Sequence, residues 1–128
     1  MKLLLDTHAL LWWWLDSPQL PASARTLMAD EANPVFVSAA SAWEIATKHR
    51  LGKLPGAELM LPRFHELVQA DGFQHLPVTW AHAARAGSYT LAHRDPFDRM
   101  LAAQAEWEQL TLLTRDPAFA LFDTPVVW

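Results

Sequence analysis

The sequence contains no cysteine. That excludes disulfide staples, thiolate metal sites and a cysteine nucleophile, and leaves a reducing cytoplasm as the expected setting. Only 4 of the 128 residues are glycine, and none sits in the glycine-rich turn that cradles phosphate in P-loop and dinucleotide-binding folds. Positive charge is not in excess either. Lys plus Arg number 10 against 14 Asp plus Glu, a formal net charge of −4 with a pI near 5.8. Nucleic-acid binding through bulk charge is therefore excluded, although a local basic patch is not. The longest unbroken apolar run, Ala9–Leu15, falls far short of the roughly 18 residues that suggest a membrane span. With Leu3–Leu5 it resembles the apolar part of a signal peptide, but Asp6 and His8 interrupt it and no small-residue cleavage site follows. No membrane partner is expected.

What the sequence has is apolar material, 52% of its residues including 7 tryptophans, enough for a packed core and too much for disorder. The length suits one domain over residues 1–128, with no repeat, linker or low-complexity tract. Lys2–Leu5 reads as a short apolar strand stopped by Asp6. Thr7–Leu15 reads as a helix ended by the turn residues Asp16-Ser17-Pro18, and Pro21–Ala32 as a second helix with Leu20, Ala24, Leu27 and Met28 towards one face. Val35–Val37 is a strand after Asn33-Pro34, and Ser38 an N-cap for a helix over Ala39–Leu51 closed by Gly52. Helices follow over Pro62–Ala70, Thr79–Ser88 (capped by Thr79) and Pro96–Glu108 (opened by Asp95-Pro96). The strands among and after them are Phe73–Pro77, Leu110–Leu113 and Pro125–Trp128. Strands alternating with helices predict parallel pairing through right-handed crossovers, hence a three-layer α/β/α domain with a mainly parallel central sheet. Continuous apolar strands fit a sheet covered on both faces.

In such a sheet, ligands bind outside the carboxyl ends of the strands. Asp6 ends the first strand, and Asp116 follows Leu110–Leu113 with Thr114 between. Glu44 lies in the apolar string Ala42-Trp43-Glu44-Ile45-Ala46, and Asp98 lies in the first turn of the Pro96 helix. Four carboxylates are thus expected around one coordination sphere or one water-filled gap. Gathered acids repel and raise one another's pKa unless a cation intervenes, and an all-oxygen set suits Mg²⁺ or Mn²⁺. Such an ion polarises a phosphoryl oxygen and acidifies a bound water, so phosphodiester hydrolysis is the natural chemistry. Taken singly, each acid has a plainer explanation. Asp6 and Asp116 suit helix caps, Glu44 a solvated helix face, and Asp98 the positive end of a helix dipole.

These segments resemble the PIN-domain ribonucleases, and among them the VapC-type toxins of bacterial type II toxin–antitoxin pairs. The likeness runs through Leu4-Leu5-Asp6-Thr7-His8-Ala9-Leu10-Leu11, then Ser38-Ala39-Ala40-Ser41-Ala42-Trp43-Glu44-Ile45. It continues through the most specific stretch, from His93-Arg94-Asp95-Pro96-Phe97-Asp98-Arg99 to Ala105, and through Leu113-Thr114-Arg115-Asp116-Pro117-Ala118-Phe119. The resemblance implies a PIN fold, Mg²⁺ or Mn²⁺ on Asp6, Glu44, Asp98 and Asp116, and endonucleolytic cleavage of RNA; attack by a metal-held hydroxide is then expected to leave 5′-phosphate and 3′-hydroxyl ends. It further implies a cognate VapB-type antitoxin, a homodimer, and a hydroxyl beside the first acid, which Thr7 provides. Of the two acids in the third motif, family spacing selects Asp98, while Asp95 before Pro96 reads as the N-cap. Thr7, Asp95 and Thr114 are accordingly expected to support the ligands from behind.

With the four acids set aside, acidic and basic residues are equal in number. Lys48 and Arg50 follow Glu44, and Arg94, Arg99 and Arg115 flank the later acids, a local set for RNA phosphates. Lys48 and Arg50 also suit a plain helix C-terminus. His8 and His93 are expected to make supporting hydrogen bonds, since no paired zinc spacing occurs. Competing readings are a non-toxin PIN nuclease, an aspartyl-nucleophile phosphohydrolase at Asp6, and a catalytically silent interaction module. Against the second, the position two residues after Asp6 is His8 where such enzymes carry another Asp. Finally, Trp12, Trp13 and Trp14 sweep roughly 200° of a helix surface, more than one buried stripe accommodates. At least one is expected to remain partly exposed, as a contact for an antitoxin, a second copy or RNA bases.

Overall fold

The computed structural model describes residues 1–128. Strands β1 (Leu3–Leu5), β2 (Val35–Ser38), β3 (Gln74–Leu76), β4 (Thr111–Leu113) and β5 (Val126–Val127) form one sheet in the order β3-β2-β1-β4-β5, every pair parallel. Helices α1 (Thr7–Trp14), α2 (Ala22–Ala29), α3 (Ala39–Arg50), α4 (Ala57–Met60), α5 (Phe64–Ala70), α6 (Trp80–Ser88) and α7 (Pro96–Glu108) lie between the strands. Register runs Leu4 beside Phe36 and Leu112, which makes β1 the centre of the sheet.

The period of two along β1 decides the layers. Leu3 and Leu5 point to one face and pack with Ala9 and Leu10 of α1, Ala24 and Met28 of α2 and Val68 of α5. Leu4 points to the other, onto Leu101, Ala102 and Ala105 of α7 and onto Phe119 and Phe122. All three leucines are fully buried, as the continuous apolar strand requires. The chain builds outward from β1 to β2 and β3, then returns to place β4 on β1's other side. The order therefore reverses between β1 and β4, and a crevice opens there beyond the carboxyl ends.

Side-chain caps set the starts of α3, α6 and α7. Ser38 Oγ accepts the Ala40 N–H at the start of α3. Thr79 and His82 form a reciprocal capping box on α6. Asp95 Oδ1 accepts the Phe97 and Asp98 N–H groups at 2.9 and 3.1 Å, with Pro96 in the first position of α7. Helix α2 stops at Ala29, short of the expected Ala32, because Asp30 is extended and its carboxylate turns back to the Ala32 N–H. The expected Pro62–Ala70 helix divides into the end of a 3-10 turn over Leu61–Arg63 and α5, and α4, which was not expected, precedes them. Gly56 at φ +92° launches α4, which is too short to show a helical period. A 3-10 turn over Pro117–Leu121 follows Asp116, whose capping role the sequence allowed.

All three successive tryptophans of α1 are half-buried, none sealed. They fan out: Trp12 meets Trp128, Trp13 meets Phe73, and Trp14 meets Phe64 while donating its Nε1–H to Asp71. The 100° step between neighbours on a helix produces this divergence.

Candidate active site

Asp6 leaves β1 where its backbone N–H donates to Leu113 O of β4, so the two strand ends are locked together. Asp6 stands in the N-cap position of α1, yet its side chain makes no capping bond. Thr114 Oγ1 donates to Asp6 Oδ2 at 2.7 Å and accepts the Asp116 N–H at 3.0 Å. One hydroxyl thus couples the first and last acids. Asp6 is only 6% exposed. Burial pushes its carboxyl above the ordinary value, opposed by the Thr114 bond and His8 and reinforced by the charges of Glu44 and Asp116. Asp116 is exposed and caps its 3-10 turn through the Ala118 N–H, so the plain capping role is real there.

Glu44 arrives from α3 nearly sealed, 3% exposed, which removes the solvated-face reading. Its Oε2 pairs with Lys48 one turn on. Burial disfavours the Lys48 charge, but Glu44 bonded to it and the charges of Asp95 and Asp98 raise its pKa above the ordinary value. Asp98 sits in the first turn of α7 with Oδ2 at 2.8 Å from His93 Nε2. Burial, countered by the His93 bond and reinforced by the Asp95, Asp6 and Glu44 charges, pushes its carboxyl up to about 6.

The acids act on one another's charge: Asp6 with Glu44 and Asp116, and Asp98 with Asp6 and Glu44. They do not form a closed cage, and no three acidic or histidine side chains are gathered into a ready-made metal-ion cluster. Neighbouring side chains explain part of this, because Lys48 holds one Glu44 oxygen and His93 contacts one Asp98 oxygen. The donor chemistry nevertheless fits a hard divalent ion: oxygen only, with burial first and the neighbouring acids second raising the affinity for a proton at Asp6 and Asp98.

Several expected roles change. Thr7 Oγ1, buried, donates to Ser41 Oγ at 2.9 Å, so it ties α1 to α3 and does not bond an acid. Arg99 is withdrawn from the phosphate-contacting set, because its guanidinium donates to the carbonyls of Ala86, His93 and Tyr89 at 3.0, 2.9 and 2.7 Å. It clamps the loop between α6 and α7, and so holds His93 against Asp98. Lys48 likewise faces Glu44 first. Asp95 is a cap, as expected, although its charge still reaches Asp98 and Lys48. Arg50, Arg94 and Arg115 are exposed.

One feature was missed at the sequence level: a buried chain of polar groups behind the site. Ser38 Oγ donates to Gln104 Oε1 at 2.6 Å, Gln104 Nε2 reaches Pro77 O, and fully buried His82 contacts Glu108 at 2.8 Å. The available signal was Gln104 among Leu101, Ala102, Ala103 and Ala105, a polar residue in an otherwise buried run.

The PIN-domain family profile matches residues 3–124. Ribonuclease VapC16 of Mycobacterium tuberculosis is 41% identical over 71 residues, 52% of this chain and 50% of that protein, so the match spans about half the length of that relative. The structure of VapBC2 from Rickettsia felis, bound to a DNA fragment from its promoter, aligns over 99% of this chain and 98% of its own with a TM-score of 0.71 at 16% identity. VapBC-1 from nontypeable Haemophilus influenzae aligns over 99% and 97% with a TM-score of 0.70, also at 16% identity. Likeness at that identity concerns the fold.

Proposed function

The chain belongs to the PIN-domain family, and from that premise we propose that it is a metal-dependent endoribonuclease of the VapC toxin type, neutralised by a cognate VapB-type antitoxin. The observation that carries this reading is the mutual charge of four acids, with Asp6 and Asp116 lining the β1–β4 crevice and Glu44 and Asp98 acting on Asp6 or acted on by it, the Asp98 carboxyl being pushed up to about 6. Buried acids arranged this way are costly unless a cation compensates them. Those four side chains would hold Mg²⁺ or Mn²⁺, which when bound supplies phosphoryl polarisation and an acidified water, and so 5′-phosphate and 3′-hydroxyl products.

The chain's own residues set the stage. Thr114 fixes Asp6, His93 fixes Asp98, and Arg99 fixes the His93 backbone. Lys48 balances Glu44, leaving Oε1 free of that contact. Arg50 and Arg94, both exposed, would meet RNA phosphates, and Arg115 is exposed in the crevice beside Asp116. The named ribonuclease relative supports the RNA substrate, and the VapBC complexes among the fold's neighbours support an antitoxin partner. The half-buried tryptophans of α1 offer apolar surface for that contact. Trp80 and Trp107, 83% and 54% exposed, stand at the end of the α6–α7 pair where His82 meets Glu108, and favour a homodimer. A cytoplasmic setting goes with the absence of cysteine. Incubating purified protein with RNA, with and without Mg²⁺ or Mn²⁺, tests the reading. Metal-dependent cleavage lost in Asp98→Asn is expected, and an intact RNA pool under all conditions would leave only a silent interaction module.

A further inference from the structure

The crevice beyond β1 and β4 has a wall that the acids do not use. Its volume is about 280 Å³, and Asp6, His8, Trp12, Arg115, Asp116 and Pro117 line it. Trp12, half-buried, is held edge-on by Trp128 at 6.0 Å between ring centroids, with the His8 ring 5.7 Å away on the other flank. The Arg115 guanidinium lies over the Trp12 indole, 4.4 Å from its centroid, and Nη2 donates to Gln19 Oε1 at 3.1 Å. Both of these partners are neutral. A cation has been laid on an aromatic ring and tied to an amide, one residue from the Asp116 carboxylate, while the rest of the arginine stays exposed.

That arrangement suits a ligand with a flat π face and a negative charge beside it. Guanidinium planes and aromatic rings are the surfaces on which proteins stack unpaired bases, and the indole beneath keeps Arg115 spread and oriented. The volume lies near the lower end of small-ligand sites, roughly 300 Å³, which gives room for one nucleotide and none for a duplex. We propose that Arg115, Trp12 and His8 form a nucleobase subsite, in which the base next to the scissile phosphate stacks on the Arg115–Trp12 layer while its phosphate lies towards the divalent ion that Asp6 and Asp116 would help to hold. The substrate at this point is then single-stranded RNA, because a paired base does not offer its face. This rests on the ribonuclease reading above and adds to it the recognition of an unpaired base.

The test uses a single-stranded RNA oligonucleotide that the wild type cleaves, and copies carrying one abasic position each. Binding is measured in the Asp98→Asn background, where the RNA stays intact. One abasic position, beside the scissile bond, should weaken binding between about 5- and 150-fold, the range of one stacked base. Adding Arg115→Ala or Trp12→Leu should cost a similar factor and abolish sensitivity at that position alone, while Trp12→Phe retains most of it. In the cleaving protein, Arg115→Ala should raise KM with kcat within about twofold. Arg115 is exposed, so its variant carries the test even if Trp12→Leu fails to fold. An unchanged abasic profile and KM in Arg115→Ala overturns the subsite, and if the same variant loses a co-expressed antitoxin the wall belongs to a protein contact. A wild type that cleaves and binds no RNA overturns the ribonuclease reading along with it, whereas cleavage with a flat abasic profile overturns the subsite only.

Discussion

Replacing Asp98 by Asn should stabilise the metal-free protein. Burial and the neighbouring acids push the Asp98 carboxyl from 3.8 up to about 6, so the folded state holds its proton more tightly than the unfolded chain does. The resulting stability is fully present below the unfolded value, fades as pH rises through the folded one, and is absent at pH 7.5. At that pH the ionised carboxylate costs the fold about 3 kcal/mol, at roughly 1.36 kcal/mol for each unit of pKa. The side chain is only 15% exposed, so solvent screens little of this. Asparagine removes the charge and can still face His93, at the loss of a charge-assisted hydrogen bond, which leaves a net gain of about 1–2 kcal/mol. For a chain of this size that is a rise in Tm of about 4–8 °C. Thermal unfolding followed by circular dichroism in EDTA reads it directly. The gain should shrink as pH falls from 7.5 towards 4.5, and repeating the comparison in a His93→Gln background removes the histidine's own titration. Added Mg²⁺ should then raise the Tm of the wild type more than that of Asp98→Asn. A variant less stable than wild type at pH 7.5, or a difference that does not change with pH, would refute the account of Asp98 as a charge awaiting compensation.

Lys48→Met should destabilise the fold by about 3 kcal/mol, the cost of leaving one member of a buried pair alone, and the loss should be partly restored by Mg²⁺ in equilibrium unfolding. Arg99→Lys cannot reach three carbonyls at once, so urea unfolding should show about 1–3 kcal/mol of lost stability. The salt dependence of RNA binding should stay unchanged, which separates a clamp from a phosphate contact. Asp95→Asn keeps a competent cap and should leave RNA cleavage within a few-fold of wild type in a steady-state assay, in contrast to Asp98→Asn.

Much of this was legible in the chain because its signals are local. Asp95-Pro96 opens α7 where the sequence places it, and Ser38 and Thr79 cap as their side chains dictate. Leu3-Leu4-Leu5 could only be a strand buried on both faces. Asp6 at the end of β1 and Asp98 in the first turn of α7 stand where their neighbours in sequence place them. What could not be read depends on contacts between residues far apart. Arg99 looked like a phosphate ligand because its three carbonyl partners belong to a loop whose path only the tertiary structure defines. Thr7 looked like a partner of the neighbouring acid, whereas Ser41 lies closer once α1 and α3 pack. The hydroxyl that does serve Asp6 comes from Thr114, at the far end of the chain. The Lys48–Glu44 pair was within reach of the helical four-residue spacing, but reading Lys48 as part of a basic run obscured it.

The central claim is metal-assisted hydrolysis by the four carboxylates, and the chemistry of the RNA ends tests it most directly. RNA cleaved by the purified protein in Mg²⁺ or Mn²⁺ should carry 5′-phosphate and 3′-hydroxyl termini. Cleavage should vanish with EDTA and with Asp98→Asn. Products ending in a 2′,3′-cyclic phosphate, or cleavage that survives both EDTA and Asp98→Asn, would contradict it.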